Sequence, residues 1–373
     1  MLLRTLYKMK YKLVVAILVF CLVACKKKKQ EEEEPVNPYD KQALVSNMAD
    51  NVILPNYNAF KLSLDSLINA YNTFKTSELQ SDYQIVKQKL HSACLKYQII
   101  SPYEFGPAET VIVRMNFNVF PTDTSQVKSN IAAGTYVLDA VSNLDAKGFP
   151  ALDFLFYGFN QSEATMIQLF VNSANRKQYV TDLLNDMSGK INSVISTWNS
   201  SYRTTFVNSL GTDVGSSIGF LVNQINFELD YLKNSKIGTP LGKKTLGIAM
   251  PDKCEAYYGT QSLQYAMQTL IAIENVYLGR SPSGNNGQGF DDYLAHLGAE
   301  YNGGSLNDAI NNQFTVCKAK LNAIANPLST QVTSSPSVVD AAYVELVKLL
   351  VLLKTDMPSS LGVIITYQDG DGD

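Results

Sequence analysis

Apolar residues recur at steps of three and four along most of this 373-residue chain, and that spacing commits it to helices. From Tyr179 the series runs Val180, Leu184, Met187, Ile191, Val194, Trp198 and Tyr202, with Asn, Ser, Thr, Asp and Lys filling the opposite face. The same spacing appears at Ile218, Leu221, Ile225, Leu229 and Leu232, and again at Leu263, Met267, Leu270, Ile273 and Tyr277. Residues 40–75 and 78–100 read as two long helices, the first kinked near Pro55. Between Val338 and Leu353 apolar residues circle the helix, which predicts a central, well-covered element. Val111-Ile112-Val113 and Val363–Tyr367 are the convincing β-branched runs, and both are short. Loops rich in Gly, Pro, Ser or Asn fall at 101–107, 234–252, 279–290 and 326–336. Long helices joined this way predict an all-α fold of two antiparallel helical bundles with few short strands. Gly211-Thr212-Asp213 marks the expected boundary between a bundle over 39–210 and one over 211–373.

The first 25 residues read as an address rather than as fold. Arg4, Lys8, Lys10 and Lys12 precede an apolar run from Leu13 to Val23, too short to span a bilayer but suited to a secretory signal. The run closes on Leu22-Val23-Ala24-Cys25, which resembles a bacterial lipobox and implies cleavage before Cys25 and lipidation of that residue. An ordinary signal cleaved after Ala24 is the plainer alternative. Attached acyl chains would hold the protein on a membrane, at about 0.8 kcal/mol per buried methylene. Residues 26–38 follow as a charged, solvated tether, Lys26–Lys29 then Glu31–Glu34, with no apolar residue early enough to join a core. A lysine followed by acidic residues there resembles surface-export signals of some Bacteroidetes lipoproteins. The expected location is therefore the outer membrane, on its periplasmic face or at the cell surface.

Charge and rare residues narrow the chemistry. Removing four basic and no acidic residues with the signal changes 31 Lys+Arg against 34 Asp+Glu into 27 against 34, a net charge of −7. Such a chain has no basic field for nucleic acid. With Cys21 removed and Cys25 lipidated, Cys94, Cys254 and Cys317 remain, without CxxC spacing, and read as small buried apolar residues. Two histidines, His91 and His296, leave little material for imidazole-based metal sites, and no HExxH occurs. His91 sits in a helical pattern beside Leu90 and Cys94 and reads as a packing residue. Gly215-Ser216-Ser217-Ile218-Gly219 matches the G-x-S-x-G of serine hydrolases, but no strand precedes it, so it reads as a helix start capped by Asp213. Gly284, Gly287 and Gly289 read as a flexible loop rather than a phosphate cradle. The terminal Asp369-Gly370-Asp371-Gly372-Asp373 opens like a calcium loop but stops short of one.

Three stretches together carry a family resemblance. The first is Tyr103-Glu104-Phe105-Gly106-Pro107-Ala108-Glu109, followed by Asn118-Val119-Phe120-Pro121-Thr122-Asp123-Thr124. The second is Gly148–Gly158 with Asn175-Arg176-Lys177-Gln178-Tyr179 downstream. The third is Ile237-Gly238-Thr239-Pro240-Leu241-Gly242, closing with Leu361-Gly362-Val363 and the terminal Asp-Gly-Asp. In order and spacing these resemble the imelysin, or M75 peptidase-like, family. The resemblance implies an all-helical chain whose two bundle-like domains face one another across a cleft, in a bacterial envelope protein, with a connection to iron uptake. It also implies a G-x-H-x-x-E motif, whose histidine and glutamate one helical turn apart could share a metal or a proton. The corresponding residues here are Gly148, Pro150 and Asp153.

Proline has no titratable group and no lone pair for a metal, so the motif is degenerate, and Pro150 makes sense as the first residue of a helix. The residues expected to line the cleft are Glu109, Pro150, Asp153 and Arg176 from the first half, with Lys236 and Ser262 from the second. Glu109 and Asp153 are the candidate metal ligands, and oxygen donors suit a hard cation such as iron or calcium. The competing reading is that these side chains pair with one another and hold the bundles in register. The sequence thus favours a non-catalytic, lipid-anchored protein that binds iron, an iron complex or an envelope protein partner. The alternatives are an M75-type metallopeptidase and a scaffold in a surface complex.

Overall fold

The computed structural model describes residues 38–158 and 160–367, so the signal, Cys25 and the tether lie outside the described residues, as does the terminal Asp-Gly-Asp run. The chain from Asp40 onward forms one compact unit. Its principal helices are α1 (Lys41–Asn47), α2 (Leu54–Ser77), α3 (Gln80–Ile100), α4 (Gly148–Tyr157), α5 (Ala174–Thr197), α6 (Ser217–Tyr231), α7 (Ser262–Tyr277), α8 (Leu306–Asn322) and α9 (Pro336–Val351). The fold is all-α, as the periodicity requires.

Packing follows the 3–4 spacing. Phe60, Leu64, Leu67, Tyr71 and Phe74 of α2 are buried, and so are Tyr83, Val86, Leu90, Ala93, Tyr97 and Ile100 of α3. The two helices form a hairpin whose turn consists of Glu78, in the left-handed region at φ 55°, and Leu79. Helix α5 lies on α2, burying Val180, Leu184, Met187, Ile191 and Val194. On its other side α3 packs against α7, which in turn contacts α6 and α8, and α8 pairs with α9. The α3–α7 contact is therefore the seam joining the first part of the chain to the second.

Among the described residues four helices pass through a π-helical turn: Met48–Ile53, Trp198–Tyr202, Leu232–Gly238 and Leu352–Asp356. Three of them run directly into Pro55, Pro240 or Pro358. In each case the residue before the proline donates its N–H to the carbonyl five back, Leu54 to Ala49, Thr239 to Asn234 and Met357 to Leu352. A proline ring clashes with the carbonyl four back in an α-helix, and the wider turn relieves that contact. The kink expected near Pro55 is this turn.

Some local expectations fail for identifiable reasons. Neither β-branched run is a strand. Val111 and Ile112 form a turn, with Ile112 at φ 44°, and Val113 opens the helix Val113–Phe117. Residues 363–367 form no regular secondary structure and meet the Asn223 side chain instead of another strand. Its amide donates to the Ile364 carbonyl at 3.0 Å and accepts from the Thr366 N–H at 2.7 Å. Among the described residues the two short strands lie elsewhere, β1 (Glu300–Tyr301) pairing antiparallel with β2 (Gly304–Ser305). Half of the expected 234–252 loop is helical, because the Leu232–Gly238 turn and the Thr239–Leu241 helix extend α6. Helix α9 is covered on one face only, since Val338, Val344 and Val351 are exposed.

Trp198, the chain's single tryptophan, is fully buried among the rings of Phe105, Tyr202 and Phe206. Replacing it with alanine removes the centre of that aromatic group, and the expected loss is about 3–5 kcal/mol of unfolding free energy. Urea unfolding followed by circular dichroism measures it. A loss below 1 kcal/mol, the range expected of a surface site, would contradict this packing.

Candidate functional site

The motif region occupies the α3–α7 seam. Gly148 adopts φ +71°, and a Cβ there would stand 2.3 Å from the Phe117 carbonyl oxygen, so glycine is needed for the backbone itself. Pro150 is buried in the first turn of α4, at the third position rather than the first, where its missing N–H still leaves no helical bond unmade. One turn on, Asp153 is 7% exposed and accepts hydrogen bonds from the backbone N–H groups of Tyr258 (2.9 Å) and Gly259 (3.0 Å). Burial pushes its carboxyl up to about 7; nearby Glu255 adds to the shift and the two backbone bonds oppose it.

Glu255 was not singled out by sequence, yet it is the centre of the site. It is 2% exposed. Its Oε1 accepts from Gln98 Nε2 (2.8 Å) and Asn118 Nδ2 (2.7 Å). The Lys236 ammonium lies 3.0 Å from Oε2, as an ion pair without a well-directed hydrogen bond, so Oε2 has charge compensation but no hydrogen-bond donor. Lys236 also donates to Gln98 Oε1, which in addition accepts from Thr269 Oγ1 at 2.9 Å. Ser262 donates to the Glu255 backbone carbonyl. A narrow cavity of about 10 Å³, room for the centre of one water, remains between Asp153, Glu255, Pro150, Cys94, Tyr157 and Tyr265.

Four of the residues expected in the cleft therefore come together: Pro150, Asp153, Lys236 and Ser262. The other two do not join them. Glu109 is exposed on the short helix Pro107–Thr110 and lines no part of this cavity. Arg176 is buried, donates to the Leu155 carbonyl (2.7 Å) and stacks over the Phe170 ring at 4.7 Å. Asp153 is thus satisfied by backbone amides, not by Arg176.

Other sequence candidates resolve locally. His91 stacks on Tyr265, with Nδ1 3.2 Å from the phenol oxygen, and burial lowers its pKa. Ser217 of the G-x-S-x-G stretch is buried and donates to the Phe206 carbonyl at 2.6 Å. The helix there is capped by Ser216, whose hydroxyl accepts from the Gly219 N–H, rather than by Asp213. Cys94, Cys254 and Cys317 are all buried and free.

The donor set does not suit a resident iron or calcium ion. Both oxygens of Asp153 face backbone N–H groups, the charge of Glu255 is matched by Lys236, and Pro150 offers nothing. Among the described residues no group of three or more His, Cys, Asp or Glu side chains is placed to hold a metal.

Two measurements probe this arrangement. Lys236→Met would leave Glu255 as an uncompensated buried charge, with an expected cost of about 3–5 kcal/mol in unfolding free energy. The double variant Lys236→Met/Glu255→Gln should recover part of it, and no recovery would show that the two are not coupled. For Asp153, a folded pKa raised above the ordinary 3.8 means the native state holds the proton more tightly. Its contribution is therefore present at low pH and is lost as pH rises from about 4 through about 7. Asp153→Asn should flatten that decline, measured as denaturation midpoints across the same range; an unchanged pH profile would place the Asp153 pKa elsewhere.

Comparison with known proteins agrees with this architecture. The sequence profile of the imelysin family (peptidase M75) matches residues 53–354. An iron-regulated protein A precursor from Parabacteroides distasonis has a similar crystal structure, with a TM-score of 0.73 at 17% identity, over 87% of this chain and 96% of that one. An imelysin-like protein from Psychrobacter arcticum superimposes with a TM-score of 0.68 at 15% identity, over 88% and 97% of the two chains. No functionally curated protein shows significant sequence similarity. With the family profile matching residues 53–354, well over half of its length, this chain belongs to the imelysin family.

Proposed function

We propose that this chain is a non-catalytic, lipid-anchored member of the imelysin family that serves iron acquisition by binding rather than by hydrolysis. The observation that carries this reading is the state of the motif. Pro150 stands where the family has histidine, and the carboxylates beside it are already satisfied, Asp153 by two backbone amides and Glu255 by Lys236. A metallopeptidase needs an open metal position and a base with room for water and peptide. The cavity here holds about one water.

The connection with iron is supported by the relative from Parabacteroides distasonis, named as iron-regulated. Because the motif residues do not suit a bare cation, the cargo is an iron complex or a protein that handles one. The anchor rests on Leu22-Val23-Ala24-Cys25 and the basic, apolar segment before it.

Two experiments test the reading. Purified protein incubated with an unstructured polypeptide, with and without zinc, should leave it intact; metal-dependent cleavage abolished by Asp153→Ala would overturn the non-catalytic role. In the native host, deletion should slow growth under iron chelation and not in iron-replete medium. Rescue by the intact chain but not by Cys25→Ala is the expected result. Equal growth of the deletion strain in both media would remove the link to iron.

A further inference from the structure

We propose that a second site, away from the motif, binds a neutral polyhydroxylated ligand, a small saccharide. It is the cleft between the Met48–Ile53 π-turn and the loop from Gly279 to Gly289, with a volume of about 420 Å³. That is within the range of small-molecule sites and suits one or two sugar rings.

The lining chemistry indicates the ligand class. The walls carry Asn47, Asn51, Asn285, Asn286 and serine hydroxyls, with the rings of Pro55 and Pro282, and among the described residues no ionisable side chain lines them. Amides and hydroxyls both donate and accept, which matches the two-way hydrogen bonding of sugar hydroxyls. A charged ligand would lose hydration there without gaining a counter-charge. The proline rings offer apolar faces to the C–H surface of a pyranose. With no aromatic platform, affinity in the millimolar range is expected, equivalent to roughly −4 kcal/mol.

The cleft is built in advance of any ligand. Asn47 is buried and clamps the base of the loop, donating to the carbonyls of Gly279 (2.8 Å) and Gln288 (2.9 Å) while accepting from Asn51 (3.0 Å). Gly287 sits so close that a Cβ would stand 2.2 Å from Asn47 Oδ1. Within the loop the Ser281 N–H donates to the Asn285 carbonyl (2.9 Å) and the Gly287 N–H to the Gly279 carbonyl (3.2 Å). The segment that sequence reads as flexible is therefore held in one shape. It presents the side-chain amides of Asn285 and Asn286 exposed at the cleft, with no hydrogen bond to the described residues. The wide π-turn, a feature frequent at functional sites, supplies Asn51 on the facing wall.

Saturation-transfer NMR on the purified full chain tests the proposal, using the methyl glycosides of glucose, galactose, mannose and N-acetylglucosamine, with glucuronate and glucosamine as charged comparators. The expected result is transfer to at least one neutral sugar, weakened at least tenfold in Asn285→Ala/Asn286→Ala. Those positions are exposed, so the thermal midpoint should not move. No transfer to any neutral sugar would overturn the proposal. So would transfer that survives the double substitution, or that is as strong for the charged comparators. Because the cleft shares no residue with the Asp153–Glu255 site, failure here would leave the non-catalytic reading of the motif untouched.

Discussion

A carboxylate buried where two halves of the chain meet must be compensated from every direction, and the interior of this protein is organised around that requirement. The Glu255 carboxylate draws Gln98 from α3, Asn118 from the end of the helix Val113–Phe117 and Lys236 from the turn after α6, while Ser262 at the start of α7 holds its backbone carbonyl. Such a cluster contributes little net stability, since removing two charges from water offsets most of their attraction. Its effect lies in register. A slip of α3 along α7 by one turn would take Gln98 away from both Glu255 and Lys236 and leave buried polar atoms without partners, which is far less favourable than a slip between two apolar stripes. The apolar helices supply the driving force, and the polar cluster selects one alignment among the many they would tolerate.

The helices were legible because burial imposes the same 3–4 period on sequence and structure. Every apolar residue named from Val180 to Trp198 and from Ile218 to Leu232 is buried. The apolar spacing in α7 lies slightly off its buried face: Leu263 and Met267 are half-buried, while Tyr265, Ala266 and Thr269 are buried. That face is partly polar because it meets Gln98 and Lys236, and a hydrophobic stripe cannot announce a polar contact. Glu255 was invisible for the same reason. It lies outside any periodic segment, and its partners are 137 to 157 residues away for Asn118 and Gln98. Val363–Tyr367 has the composition of a strand, but a strand is a property of pairs, and a side-chain amide filled the partner's place.

The degenerate motif shows which parts of a functional sequence are also structural. Gly148 persists because its backbone passes against Phe117 in a conformation that disfavours a side chain, and Pro150 suits the first turn of α4. The acidic position persists as Asp153, receiving the amides of residues 258 and 259 across the seam. At the position that the resemblance pairs with histidine stands Pro150, buried in the first turn of α4 and without proton chemistry, with the architecture around it in place.

The π-turns bear on how a protein of this kind can change length. A turn closed by a bond to the fifth residue back holds one residue more than an α-turn, and it absorbs that residue without opening a loop. Past it, the apolar stripe is rotated by about 100° relative to an uninterrupted helix. A single-residue insertion is thereby converted into a change of facing. The segment after Trp198–Tyr202 can turn Phe206 onto the Phe105 ring while α5 ahead of it remains on α2. One continuous helix thus serves two packing surfaces, and the extra residue, rather than a break in the chain, is what lets it do so.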